Sequence, residues 1–178
     1  MKKGIRHVGI LCVLILCVSV LSACGKKSIE EVTGTTFECK QFSALCPEDW
    51  ANYPVAELSD ANTISANHLR FCKVKVAEGQ EIGTAIYSNA YIDIAHYPSN
   101  AGNYENMTSH KDVQEVSLEI NGVKWKGHSG ELAGYKEVYL CKEGSNEWQA
   151  SIRLSDNDGD LELEDIDLQA ILASIKMK

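Results

Sequence analysis

The chain opens on an almost unbroken apolar run, Val8 to Leu21, and then switches to short alternating stretches. In "IYSNAYIDIAHY", Ile86 to Tyr97, one side carries Ile86, Ala90, Ile92 and Ile94. The other carries Tyr87, Tyr91, Asp93 and Tyr97, so the segment predicts a strand with one buried face. Pro98 and the Ser-Asn-Ala-Gly run after it end that strand. Leu69 to Val76 reads the same way, with Cys72, Val74 and Val76 opposite Lys73 and Lys75. Thr35 to Lys40 and Phe42 to Cys46 are shorter β-prone pieces around a turn. Pro47 stops the second piece because it brings no N–H to a ladder, and Trp50 then plugs a core edge from a loop. Asn121-Gly122 lies between two alternating runs in "SLEINGVKWKG" and is the strongest hairpin signal in the chain. Tyr135 to Cys141 and Trp148 to Leu154 are two further strands, joined by a turn at Gly144-Ser145-Asn146.

Two segments carry helical spacing. Asn103 to Val116 would turn Tyr104, Met107, Val113 and Val116 inward. "LEDIDLQAILASIKMK", Leu163 to Lys178, would bury Ile166, Ala170, Ile171 and Ile175, with Leu168 and Leu172 beside them. Acidic residues at its start and Lys176 and Lys178 at its end suit the helix dipole. Six or seven strands joined mostly by hairpin turns, with a middle and a terminal helix, predict an α+β domain built on a mostly antiparallel β-sheet flanked by helices.

The opening apolar run is shorter than the ~20 residues of a spanning helix. Lys2, Lys3 and Arg6 precede it, and Leu21-Ser22-Ala23-Cys24 closes it. This arrangement resembles the lipobox of bacterial lipoprotein signal peptides. The resemblance implies cleavage before Cys24, a diacylglycerol thioether on its sulfur, and palmitate-type acyl chains as the anchor. A basic end stays in the cytoplasm while the apolar run enters the bilayer. Two acyl chains hold stably, at ~0.8 kcal/mol per buried CH₂, where one is marginal. The expected organisation is a signal peptide over residues 1–23, a lipidated terminus and tether over 24–34, and one domain over 35–178. The membrane is then a partner through Cys24, and the location is the extracytoplasmic face of the cell membrane.

Charge and cysteine content narrow the partners. The whole chain carries a formal charge of −8. Loss of the signal segment removes three basic residues, leaving 14 basic against 25 acidic and a charge of −11. Such a chain repels phosphate backbones, so no nucleic-acid partner is expected. Cys39, Cys46, Cys72 and Cys141 remain beyond the anchor, and four cysteines allow three disulfide pairings, among which the sequence does not choose. None forms a Cys-x-x-Cys pair. His68, His96, His110 and His128 stand too far apart in sequence for a zinc motif. No cofactor is expected.

Three stretches invite chemistry. In "DNDGDLELED", Asp156, Asp158 and Asp160 cluster carboxylates that could contact calcium. The EF-hand register fails, because Leu154 falls at its first position, and the plain alternative is an acidic turn before a helix. "GHSGE", Gly127 to Glu131, lacks the last glycine of a nucleophile elbow and follows a hairpin. His128 and Ser129 would also point to opposite faces of a strand. "EGQEIGT", Glu78 to Thr84, has no lysine for a phosphate loop. The tyrosine side of the strand, with Tyr87, Tyr91, Asp93 and Tyr97, is the better ligand-binding candidate, since a phenol offers a flat apolar body and a polar tip. Tyr135 and Tyr139 alternate in the same manner on another strand.

"FSALCPEDW", Phe42 to Trp50, "INGVKW", Ile120 to Trp125, and "LQAILASIK", Leu168 to Lys176, together resemble the PsbP-like superfamily, which includes small bacterial envelope lipoproteins. Cys46 departs from the pattern, standing where the family has an aromatic residue before Pro47. The resemblance spans Thr35 to Lys178. It implies an α/β/α sandwich, a central antiparallel sheet with helices on its two sides, and binding or accessory roles rather than catalysis. It carries over no catalytic residue. The expected function is a lipid-anchored binding or accessory protein of the bacterial envelope, not an enzyme, whose partner is a protein, peptide or small ligand at the cell surface. The competing classes are a surface hydrolase whose site only tertiary structure assembles, and a purely structural envelope lipoprotein.

Overall fold

The computed structural model describes residues 28–57, 60–74, 83, 86, 89–98, 107–145, 147–154 and 161–178. The strands are β1 (Gly34–Glu38), β2 (Phe42–Pro47), β3 (Ala51–Asn52), β4 (Ala56–Glu57), β5 (Asp60–Ile64), β6 (His68–Cys72), β7 (Tyr91–His96), β8 (Lys111–Ile120), β9 (Val123–Leu132), β10 (Tyr135–Lys142), β11 (Trp148–Arg153) and β12 (Lys176–Met177). Among the described residues, α1 (Ile166–Ala173) is the only helical run longer than one turn, and a 3-10 turn covers Ile29–Glu31.

Seven strands form one sheet in the order β3-β6-β7-β11-β10-β9-β8. A second sheet has the order β1-β2-β12, and β4 and β5 form a separate ribbon. Every described pairing is antiparallel. Alternation sends Leu69 and Phe71, Ile92 and Ile94, Ala150 and Ile152, and Val138 and Leu140 to the inner face of the large sheet. Against them pack Phe42, Ala44 and Cys46 of β2 and Leu168, Ile171 and Leu172 of α1. Each large buried side chain contributes about 1.5–3 kcal/mol. The expected sandwich with helices on both sides is therefore corrected: the architecture is β-rich, a large antiparallel sheet packed on a small one, with α1 as the one short helix that packs on the core among the described residues. The reason lies at Lys111–Val116. Its helical spacing is overridden by pairing with β9, which leaves Val113 exposed.

The turn at Asn121-Gly122 forms as expected, with positive φ at both residues (49° and 78°), as a two-residue β8–β9 hairpin turn requires. β7 begins at Tyr91 rather than Ile86. Helix α1 starts at Ile166 rather than at Leu163, with Asp165 as its cap accepting from the Asp167 N–H at 2.9 Å. It stops short of the expected end. The Ser174 hydroxyl donates to the Ile171 carbonyl and accepts from the Leu45 N–H, both at 2.7 Å. Lys176 and Met177 then pair with Ser43 and Phe42 as β12 instead of finishing a helix.

Candidate functional site

The outer face of the large sheet carries what the inner face excludes. Register places Cys72, Tyr91, Arg153, Glu137 and Gly130 side by side across β6, β7, β11, β10 and β9. The adjacent row is Arg70, Asp93, Ser151, Tyr139 and His128. In the first row Arg153 donates to Glu137 Oε1 through Nε at 3.1 Å and through Nη2. Its guanidinium lies 4.3 Å from the Tyr135 ring centre and 5.5 Å from that of Tyr91. Glu137 Oε2 faces His110 Nε2 at 3.0 Å and accepts from the Tyr139 hydroxyl at 3.4 Å.

Glycine at 130 makes this possible. A methyl group there would lie 2.9 Å from His110 Cβ and 3.3 Å from Met107 Cε. His110 thus occupies the space that the missing side chain leaves, and its ring meets Tyr139 edge-on at 5.9 Å. Its side chain is 7% exposed and that of Glu137 6%. His110 Nδ1 is buried with no hydrogen-bond partner among the described residues.

The second row ends in a bidentate pair. Arg70 Nε and Nη2 donate to Asp93 Oδ1 and Oδ2 at 2.6 and 2.8 Å. The Tyr97 hydroxyl stands 3.3 Å from His68 Nε2, and His68 Nδ1 lies 3.3 Å from the Ser65 hydroxyl. Ser65 is buried and donates to Asn67 Oδ1 at 2.9 Å, so its proton is already directed away from the imidazole.

Burial sets the local acidities. It pushes the Cys72 thiol from 9.0 to about 12, with the Asp93 charge adding and Arg70 opposing. It raises the Tyr91 hydroxyl well above its ordinary value, again with Asp93 adding and Arg153 opposing. It lowers His68, against the attraction of Asp93. These are groups held neutral by desolvation beside charges held in pairs.

Of the expected ligand-binding residues, Tyr91, Asp93 and Tyr97 do share this face, but Tyr91 is buried and Asp93 is paired. Tyr87, the calcium candidates Asp156, Asp158 and Asp160, and the lipidation residue Cys24 lie outside the described residues. Arg70, Glu137 and Arg153 are the members that sequence reasoning missed, and His110 is named there without its partner Glu137. The one available signal was the charged residue at an otherwise apolar alternation, Glu137 before Val138 and Arg153 after Ile152. In "GHSGE", His128 and Ser129 sit mid-strand in β9. Gly127 is required there by close approach, since a Cβ would run into the Tyr139 carbonyl oxygen. Cys39, Cys46, Cys72 and Cys141 form no disulfide among the described residues, and those residues contain no group of three metal-ligating side chains. No helix among them is long and apolar enough to cross a membrane.

A comparison of the chain with protein-family models finds no match, and a comparison with curated proteins finds none.

Proposed function

We propose that the protein is a lipid-anchored binding or accessory protein of a bacterial cell envelope, working without catalysis at the extracytoplasmic face. The anchor rests on Leu21-Ser22-Ala23-Cys24 and the basic and apolar segments before it. Binding is supported by the partly open end of the outer face. There Arg70 and Asp93, 19% and 20% exposed, stand beside His68 and Tyr97. A charge pair fixed across two strands next to a phenol is preorganised, so little side-chain freedom is lost on contact with a partner.

Metabolic labelling with a palmitate analogue tests the anchor. The full chain takes label and stays with membranes, and the Cys24→Ser variant loses both. Unchanged label and retention in that variant would overturn it. Chemical crosslinking in intact cells tests the surface. An adduct formed by the wild type and lost in the Arg70→Ala and Tyr97→Ala variants supports it, whereas an adduct pattern indifferent to both removes the outer face from the function.

A further inference from the structure

Strand β10 turns Lys136, Val138, Leu140 and Lys142 to the same face. Val138 and Leu140 are core residues, and Lys142 stands in register with the core residue Trp125. Lys136 is exposed at one end of this face, whereas Lys142 is half-buried at the other. Lys142 borders a pocket of about 150 Å³ at the end of the core, where Trp125 and Trp148 from the large sheet meet Leu172 and Ile175 at the end of α1.

Lys124, Lys126, Lys136 and Lys178 each have a carboxylate within salt-bridge range. Lys142 has none among the described residues, and no acidic side chain among them lines the pocket. Asn121 is the only other polar side chain of the lining among those residues. In a chain with an excess of eight negative charges, an ammonium left unmatched beside two indole rings is complementary to one kind of guest.

We propose that this pocket binds a small monocarboxylate whose apolar body is the size of one aromatic ring. A cavity of this volume accommodates a benzene-sized guest. The two tryptophans offer ring faces and edges to an aromatic body, and the Lys142 ammonium donates a charge-assisted hydrogen bond to the carboxylate. The site needs neither the lipid anchor nor the outer face, so its failure leaves the envelope-binding reading untouched.

The test uses the full-length chain with ¹⁵N-labelled tryptophans, titrated with phenylacetate and with its neutral analogue phenylacetamide. The indole N–H signals of Trp125 and Trp148 shift, while that of Trp50, which donates to Asp167, does not. The acid binds about tenfold more tightly than the amide. Lys142→Gln brings that ratio to about one, and Ala173→Phe, which fills the pocket from α1, abolishes both titrations while the Trp50 signal reports an intact fold. No shift of the two indoles, equal binding of acid and amide by the wild type, or a ratio unchanged in Lys142→Gln would each overturn the proposal.

Discussion

Glu137 and Arg153 face each other across β10 and β11, buried on the side of the sheet opposite the apolar core. The carboxylate also meets His110, so two cationic or protonatable groups converge on it from different elements. A buried charge of this kind is tolerable only when paired and hydrogen-bonded.

Removing one partner should therefore cost far more than removing both. Glu137→Ala strands the Arg153 guanidinium and should destabilise the fold by about 3–5 kcal/mol. The double variant Glu137→Leu with Arg153→Met should recover much of that loss, less about 1–3 kcal/mol for the partner that His110 Nε2 no longer has. Urea unfolding of the wild type and the two variants measures this, and a double variant as unstable as the single one would refute the pairing argument.

The two glycines of β9 should differ in their tolerance. Gly127→Ala drives a methyl into the Tyr139 backbone carbonyl, which cannot move without breaking the β9–β10 ladder. It should cost more than about 3 kcal/mol. Gly130→Ala meets the Cβ of His110 and the end of Met107 instead, and should cost about 1–3 kcal/mol. Thermal unfolding ranks them, and the reverse order would be inconsistent with this packing.

At alkaline pH, Cys72 should weaken the fold. The unfolded thiol ionises from its ordinary 9.0 upward, whereas the folded one keeps its proton to about 12. Stability complete below pH 9 is thus lost as pH rises through that window, by up to ~1.4 kcal/mol per pH unit. Tyr91 adds to the loss above its ordinary 10.0. Cys72→Ala should flatten the stability profile from about pH 9 to about pH 10. In the native protein Cys72 should resist alkylation while half-buried Cys141 reacts, which mass spectrometry of iodoacetamide adducts resolves.

Acid should act through His68. Its folded value lies below 6.5, chiefly through burial. The unfolded imidazole takes up a proton first as pH falls, so stability present above 6.5 is lost as pH drops through the folded value. His68→Gln should remove that part of the slope. A profile identical to wild type between about pH 7 and about pH 5 would show that His68 is not its source.

Local patterns were read well where local forces decide. The turn at Asn121-Gly122 follows from two residues that accept positive φ. The helix end was misread because Ser174 is held by Leu45, 129 positions away, and Lys176 by pairing with Ser43. Lys111–Val116 was misread as a helix because Met107, Val113 and Val116 mimic helical spacing, while β9 offers a ladder that single-segment periodicity does not contain. The candidate site was half legible. Tyr91, Asp93 and Tyr97 declare their shared side by alternation, but their partners Arg70, Arg153, Glu137 and His110 come from other elements.

By itself the sequence determined which strands have a buried side, where the tight hairpin turns, that a helix lies near the end of the chain, and how acidic the chain is. The expectation of a lipid anchor at Cys24 likewise rests on sequence alone. Only the tertiary structure decided that a charged row lies buried on the second face of the sheet, that His110 fills the space over Gly130, and that Lys142 borders a pocket at the end of the core. The reason is register. Alternation along a strand is a property of neighbouring residues, but which carboxylate meets which guanidinium depends on how distant strands align, and a shift of one residue would send every side chain to the other face.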